Sequence, residues 1–150
     1  MSGAALALAP IPAADPVQVL ARTVWGEARG EPVRGQEAVA AVVLNRVARA
    51  VAHGGRWWWG AGIVEVCLKP WQFSCWNPTD PNRPRLLAVT ADNRAFAQAL
   101  RIARRAVAGT LPDPTHGATH YHARGLHPPW AWRAVPCAEI GRHLFYNTVE

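Results

Sequence analysis

The chain has 150 residues, half of them hydrophobic, which is the size of one domain with a substantial buried core. Its formal charge of +6 at pH 7 favours a polyanionic partner, such as nucleic acid or a carboxylate-rich polymer. No apolar run reaches the roughly 18 residues that a membrane-spanning helix requires, so a membrane span is not expected.

The N-terminal residues differ in character from the rest of the chain. Residues 1–14 are small and mostly apolar, yet no Lys or Arg precedes the apolar stretch as in a secretory signal peptide. We therefore expect residues 1–14 to be a disordered tail and residues 15–150 to form one domain.

The first predicted helix begins directly after this tail. Asp15 is a good N-cap and Pro16 a good first helical residue. The apolar residues that follow recur at i, i+3, i+4 and i+7 and predict an amphipathic helix that ends near Gly30.

A second and a third helix are predicted further along the chain. The second runs from about Gly35 to Ala52, has a valine-rich face and ends at a His-Gly-Gly sequence. The third begins at Thr90 or Asp92 and ends before Gly109, and its apolar stripe lies opposite a basic stripe. The basic stripe consists of Arg94, Gln98, Arg101 and Arg105.

The remaining segments predict irregular structure and small strands. Residues 56–82 are rich in tryptophan and include a short predicted strand over residues 71–75. Two more strands are predicted over residues 118–122 and 143–147, on either side of a loop rich in Pro and Trp. Helices followed by small strands predict an α+β domain with a groove between a helical body and a small sheet.

Three cysteines, Cys67, Cys75 and Cys137, form no Cys-x-x-Cys pair, which argues against a zinc ribbon. One disulfide with a free thiol and three buried thiols are both compatible with the odd number. Because no export signal is evident, we favour buried thiols.

Two charged residues lie next to apolar stripes. Glu27 lies at the edge of the apolar stripe of the first helix. Apolar surroundings disfavour a charged carboxylate, so Glu27 can hold a proton and donate it to a leaving group. Periodicity alone favours the plainer interpretation, a surface glutamate near a helix end. Arg46 lies within the apolar stripe of the second helix and needs a partner, either Glu27 or Glu31, unless its side chain reaches solvent.

Five blocks of the sequence are distinctive in their order and spacing, namely residues 21–32, 35–46, 71–74, 118–122 and 140–146. The first contains a Gly-Glu-Ala-Arg sequence and the third a Trp-Gln-Phe-Ser sequence. Together the blocks resemble the SleB/CwlJ-type cell wall hydrolases over most of the chain. A match of several blocks is specific, whereas Gly-Glu-Ala alone would not be.

The resemblance implies a lysozyme-like or lytic-transglycosylase-like α+β fold, in which a helical body and a small antiparallel sheet flank a groove. It also implies a single catalytic glutamate, which maps onto Glu27, and neither a cofactor nor a metal. Members that act on spore cortex are lytic transglycosylases that cut after N-acetylmuramic acid and leave a 1,6-anhydro sugar. We therefore expect cleavage of the bond from N-acetylmuramic acid to N-acetylglucosamine in peptidoglycan, by transglycosylation or by hydrolysis of the muramidase type.

Side chains from the later blocks are candidates for binding the glycan. Polar groups can bond to acetamido or peptide groups, and flat aromatic faces can stack on sugar rings. Core packing is the alternative for each aromatic residue, and it is the stronger one for Trp71 and Phe73. The run of three tryptophans at 57–59 is either a further sugar platform or an apolar patch for a partner. The candidates are Gln72, Phe73, Ser74, Trp76, Thr119, His120, His122, Trp130 and Trp132.

The resemblance also indicates where the protein acts. We expect a monomer that binds peptidoglycan, with no nucleic acid partner and no membrane span. We expect synthesis in the cytoplasm and action on the cell wall or in the periplasm. Without a clear signal peptide, such an enzyme is typical of a phage-type lysin.

The residues themselves leave two other functions open. His120 and His122 have the His-x-His spacing of several zinc peptidases and lie on one face of the predicted strand. With His116, His143 or Asp113 as a third ligand, they would form the centre of a zinc-dependent peptidoglycan amidase or peptidase. The basic stripe and the aromatic segment instead fit a non-catalytic module that binds glycan or nucleic acid, although no nucleic-acid motif is present.

Overall fold

A computed structural model describes residues 15–149, so the tail expected over residues 1–14 lies outside the described residues. The described chain forms five helices followed by a sheet of three strands, with short 3-10 turns at Ser74–Trp76 and Pro129–Ala131. The helices are α1 (Pro16–Ala28), α2 (Val33–Ala52), α3 (Ile63–Leu68), α4 (Arg83–Ala88) and α5 (Arg94–Val107). The strands are β1 (His120–Ala123), β2 (Ala138–Ile140) and β3 (His143–Tyr146). This order confirms the predicted α+β class.

Helix α1 confirms the predicted first helix, and it lies at the centre of the helical body. The Asp15 side chain accepts hydrogen bonds from the N–H groups of Val17 and Gln18, which caps the helix. Leu20 and Val24 are fully buried in a core that α1 shares with α2 and α5. Burial of each such side chain contributes on the order of 2 kcal/mol to the free energy of folding.

Helix α5 begins later than the sequence predicts. The start expected at Thr90 or Asp92 is wrong, because the side chain of Asn93 accepts the N–H of Phe96 and caps the helix there. The predicted basic stripe lies on the outer side of the helix. One of its members, Arg105, forms an ion pair of 2.9 Å with Glu37 on α2.

The sheet has the order β1-β3-β2, and both strand pairs are antiparallel. The predicted strands near the C-terminus are confirmed with small shifts in their ends, while the three-residue β2 was not predicted. Phe145 on β3 is fully buried and packs with Ile140 against Ala38 and Val42 of α2. The sheet therefore packs against α2, on the side of that helix that faces away from α1.

The strand predicted over residues 71–75 is wrong. The N–H of Gln72 donates to the carbonyl of Lys69 at 3.2 Å, and the N–H of Trp76 donates to the carbonyl of Phe73 at 3.1 Å. These bonds close two consecutive turns, so the backbone amides are used locally and cannot pair with another strand. The irregular segment predicted around this turn also contains helix α3.

Arg46 joins the helical body, the 69–76 turns and the sheet. Its side chain is buried, and its Nε donates to the carbonyl of Thr119 at 2.8 Å. One terminal nitrogen donates to Oε1 of Gln72 at 3.3 Å. The guanidinium lies over the rings of Trp59 and Phe73, 5.0 and 5.2 Å from their centroids.

The predicted partners of Arg46 are therefore wrong. The guanidinium contacts a backbone carbonyl, a side-chain amide and two aromatic rings, and it does not bond to the carboxylate of Glu27 or Glu31. Burial lowers the pKa of Arg46 to about 10, and the guanidinium keeps its charge at neutral pH.

Replacement of Arg46 by Lys should lower the free energy of unfolding by about 1–3 kcal/mol. A lysine keeps the charge, but it lacks the planar fork that contacts Thr119, Gln72 and both rings. Arg101→Lys, on the exposed stripe of α5, is the control and should change stability by less than about 0.5 kcal/mol. Urea unfolding measures both variants, and equal stability of the two would contradict the role assigned to Arg46.

Candidate active site

A groove of about 650 Å³ lies where the end of α1, the 69–76 turns and the sheet meet. Glu27 enters it from the last turn of α1, and Arg46 lies at its base. The other walls come from the turn residues after Trp71, from β1 and from the loop that follows β1. Among the described residues that line the groove, Glu27 is the only carboxylate.

Two hydrogen bonds fix the carboxylate of Glu27. The hydroxyl of Tyr121 on β1 donates to Oε1 at 2.6 Å, and the backbone N–H of Cys75 donates to Oε2 at 3.3 Å. Gly26 permits this approach, because a Cβ at that position would lie 2.6 Å from the Cβ of Cys75. The Gly-Glu pair therefore combines a close backbone contact with a half-buried acid.

Tyr121, which lines the groove and bonds to Glu27, is the residue of the candidate site that the sequence analysis did not identify. Burial of the hydroxyl, followed by the negative charge of Glu27, raises its pKa well above the usual range for tyrosine. The phenol therefore stays protonated and acts as a hydrogen-bond donor to the carboxylate. Its position between two histidines in the 118–122 block was the available signal.

Glu31, one helical turn beyond Glu27 in sequence, serves a structural role. Its Oε1 accepts the N–H of Arg142 at 2.7 Å and lies 3.6 Å from Nδ1 of His143. Its Oε2 lies 3.4 Å from Nε of Arg142. The carboxylate thus holds the turn between β2 and β3 and does not line the groove.

The structure brings five of the predicted binding residues together with Glu27. Trp130 is 37% exposed and offers part of a flat face, and Ser74 is exposed. Phe73 reaches the groove but is almost wholly buried beneath Arg46, so the alternative of core packing is the better description of it. The groove residues are Gln72, Phe73, Ser74, His122 and Trp130.

Four other predicted residues lie outside the wall of this groove. The indole N–H of Trp76 donates to Oγ1 of Thr23 at 2.9 Å, which fixes the turn to α1. Thr119 is buried behind Arg46, and His120 packs between Trp130 and the buried Trp59. Trp132, which is 74% exposed, lines a neighbouring cavity of about 310 Å³ that also contains His122.

The core packing expected for Trp71 is wrong, because this side chain is 72% exposed. In the tryptophan run, Trp59 is fully buried and Trp57 is half-buried, whereas Trp58 is 48% exposed and lines none of the cavities described. The run is therefore largely part of the core.

The zinc alternative finds no support in the described residues. His120 and His122 do lie on the same face of β1, but residues 15–149 contain no group of three His, Cys, Asp or Glu side chains that could hold a metal. Both ring nitrogens of His122 have protein partners, the hydroxyl of Tyr146 and the carbonyl of Ala123, each at 2.8 Å. Asp113 accepts hydrogen bonds from Asn45, Thr115 and the backbone of its own loop.

All three cysteines are free, in agreement with the preference for thiols over a disulfide. Cys67 and Cys75 are buried, and Cys137 is half-buried.

A larger cavity of about 980 Å³ lies between α1, α4 and α5, away from Glu27. Its walls are mainly apolar, and its one carboxylate, Asp15, is the N-cap of α1. Arg22 in its wall already donates to the carbonyls of Leu86 and Val89. The smaller groove is the one that combines an acid with exposed polar and aromatic groups.

Comparison with known proteins agrees with this geometry. Residues 30–146 match the family described as Cell Wall Hydrolase, a span that begins just after Glu27. The spore cortex-lytic enzyme of Halalkalibacterium halodurans is 33% identical over 134 residues, which cover 87% of this chain and 34% of that protein. The corresponding enzyme of Bacillus subtilis is 30% identical over 86% of this chain and 36% of its own length. The chain thus spans about a third of these relatives.

Two solved structures are similar over most of their length. The catalytic domain of the Bacillus cereus SleB protein has a TM-score of 0.66 and 30% identity, with 87% of this chain and 88% of that one covered. The catalytic domain of the germination-specific lytic transglycosylase SleB from Bacillus anthracis has a TM-score of 0.66 and 29% identity. That match covers 91% of this chain and 99% of the other. The expected fold, a helical body and a small sheet flanking a groove, is confirmed.

His120 makes stability depend on pH. Burial, followed by the charges of Arg46 and Arg49, lowers its pKa to about 4. An unfolded histidine binds its proton near pH 6.5, so the unfolded state binds more protons between about pH 6.5 and about pH 4. The free energy of unfolding should therefore fall as the pH drops through this window.

His120→Gln should make that pH dependence shallower, whereas His127→Gln, in the exposed loop after β1, should keep the wild-type slope. Urea unfolding at several pH values between 4 and 7 measures the slopes. A His120→Gln protein as sensitive to acid as the wild type would contradict this assignment.

Proposed function

The chain belongs to the cell wall hydrolase family, and from this premise we propose that it cleaves the glycan strand of peptidoglycan as a lytic transglycosylase, with Glu27 as acid and base. The observation that carries the proposal is the position of Glu27, which is the single carboxylate that residues 15–149 contribute to the wall of an open groove. The bond cleaved joins C1 of N-acetylmuramic acid to the oxygen of the next N-acetylglucosamine.

The proposed reaction uses the carboxyl group of Glu27 twice, first as an acid and then as a base. Protonated Glu27 donates its proton to the glycosidic oxygen as the bond from C1 to that oxygen breaks, and the N-acetylglucosamine end leaves as an alcohol. The C6 hydroxyl oxygen of the muramic residue then bonds to C1, and its proton passes to the carboxylate of Glu27. The product is a 1,6-anhydro sugar, the acid is restored and no water is consumed.

The hydrogen bonds around Glu27 support this assignment. Tyr121 donates to Oε1 at 2.6 Å, so the more weakly bonded Oε2, 3.3 Å from the N–H of Cys75, is the oxygen free to exchange a proton. Tyr121 itself cannot take the proton, because it already carries one. It acts as a positioning residue that sets the direction of the catalytic carboxylate.

Residues 15–149 place one carboxylate in the groove wall, and this number favours transglycosylation over hydrolysis. Glycosidases that use water generally need a pair of carboxylates on opposite sides of the scissile bond. Among the described residues that line the groove there is only Glu27, and the nearby Glu31 is bonded to the β2–β3 turn. An internal hydroxyl as nucleophile removes the need for a second acid or base.

The remaining groove residues supply contacts for the substrate. Oε1 of Gln72 accepts from Arg46, which leaves its amide nitrogen as a donor for an acetamido or peptide carbonyl. Ser74 offers a hydroxyl, and Trp130 a flat face for a sugar ring. The net positive charge of the chain favours approach to a wall that carries carboxylates.

No described helix has the length and apolar character needed to cross a bilayer. We propose that the chain acts as a monomer on the cell wall.

Binding of glycan or nucleic acid without catalysis is the remaining alternative function. The exposed arginines of α5 are the feature that favours it.

Glu27→Gln should reduce cleavage of purified peptidoglycan by about 10²- to 10⁴-fold, because an amide of the same shape cannot donate the proton. Mass spectrometry of the digest identifies the products. Anhydro-muropeptides from the wild type and none from the variant are the expected result. Glu139→Gln, an exposed carboxylate outside the groove, is the control and should retain full activity.

Other products would contradict the proposal in distinguishable ways. Reducing-end muropeptides would mean hydrolysis, with water in place of the C6 hydroxyl. Released peptides with intact glycan strands would indicate an amidase or peptidase. Binding without any product would favour the non-catalytic module.

Tyr121→Phe should lower kcat by about ten- to a hundredfold and change the pH profile of kcat, because Oε1 of Glu27 loses its donor. Tyr146→Phe removes the hydroxyl that bonds to His122 instead, and its activity should stay within about threefold of wild type. Initial rates of turbidity loss at several pH values measure both. Equal kcat and pH profiles for Tyr121→Phe and wild type would remove Tyr121 from the mechanism.

A further inference from the structure

The turn at residues 69–72 carries a tryptophan in a backbone conformation that suits glycine. Gln72 donates its N–H to the carbonyl of Lys69 at 3.2 Å, Pro70 is the second residue of the turn and Trp71 the third. The φ angle of Trp71 is +67°, as in the third position of a type II turn. Glycine or asparagine is preferred there, because a Cβ in this region is strained.

Burial does not explain this choice of residue. The Trp71 side chain is 72% exposed, and within the described residues its indole makes no hydrogen bond or aromatic contact. A large apolar side chain at a strained position, with little contact to the fold, does not favour folding. Strained residues of this kind are concentrated at functional sites.

The turn is anchored directly to the groove. The next residue, Gln72, bonds to Arg46, and Phe73 is buried beneath the same guanidinium. Both residues, together with Ser74, line the groove that contains Glu27. Trp71 is therefore the exposed residue directly before three consecutive residues of the groove wall, in a turn whose next residue is hydrogen-bonded to Arg46.

We propose that Trp71 is a glycan-binding platform, whose indole face stacks on the apolar face of an N-acetylhexosamine ring of the strand beyond the cleaved bond. This inference rests on the proposed function, because the ligand of the ring is the same glycan strand that the groove is proposed to bind. An indole is suited to this contact, since it offers a large flat surface at low cost in side-chain entropy. Trp71 thereby adds affinity for long strands without taking part in bond cleavage.

Trp71→Gly separates this role from a structural one. Glycine suits φ of +67°, so the variant should unfold at the same temperature as wild type or higher. KM for purified peptidoglycan should rise about three- to tenfold, with kcat within about twofold of wild type. Trp71→Phe keeps a flat ring and should restore KM to within about twofold. Trp58→Ala removes a partly exposed tryptophan that lies outside the groove and should leave KM unchanged.

Sedimentation with insoluble peptidoglycan gives a second readout. Glu27→Gln and the double variant Glu27→Gln/Trp71→Gly measure binding without cleavage, and the double variant should bind about three- to tenfold more weakly. Three results would overturn the inference. The first is unchanged binding and an unchanged KM for Trp71→Gly, and the second is binding as weak and a KM as high for Trp71→Phe as for Trp71→Gly. The third is a lower unfolding temperature for Trp71→Gly than for wild type. A wild-type protein that yields no glycan products refutes the proposed function itself. If the wild type is active but Trp71→Gly has the same KM and the same binding, only the role of Trp71 as a platform is refuted.

Discussion

The buried guanidinium of Arg46 is the interaction on which the geometry of the groove depends. It holds three parts of the chain that are distant in sequence, namely α2, the turn before Phe73 and the residue that precedes β1. A buried charge is tolerated only when its hydrogen bonds are satisfied, so these parts can meet in few other ways. Two walls of the groove are thereby fixed relative to the helix that forms its base.

Glu27 extends into the groove from a different helix, and the contacts that hold its carboxylate are again made between distant parts of the chain. Glu27 is held by Tyr121 from the sheet and by the backbone of Cys75, and Gly26 provides the space for that backbone. One carboxylate with a fixed direction is sufficient for a reaction in which the substrate supplies its own nucleophile. The proposed reaction therefore needs no second carboxylate in the groove, and Glu31 is bonded to the turn between β2 and β3 instead.

Periodicity predicted the three long helices, because each buries one apolar stripe over at least three turns. It gave no indication of α3 and β2, which have six and three residues and are too short for a repeating pattern. The segment at Trp71 has the aromatic composition of a strand, but its amides are used in local turns. Resemblance of several blocks placed Glu27 among the candidates, whereas Tyr121 lies 94 residues away from it and acquires its role only when the sheet docks on α2.

The same packing that supports the site also protects its sulfur atoms. Burial raises the pKa of the Cys67 thiol to about 12, and burial with the neighbouring Glu27 raises that of Cys75. Thiolates are the reactive form of cysteine, so both side chains remain neutral and resistant to oxidants and alkylating reagents. Packing therefore keeps two of the three cysteines in their unreactive form, with no disulfide between them.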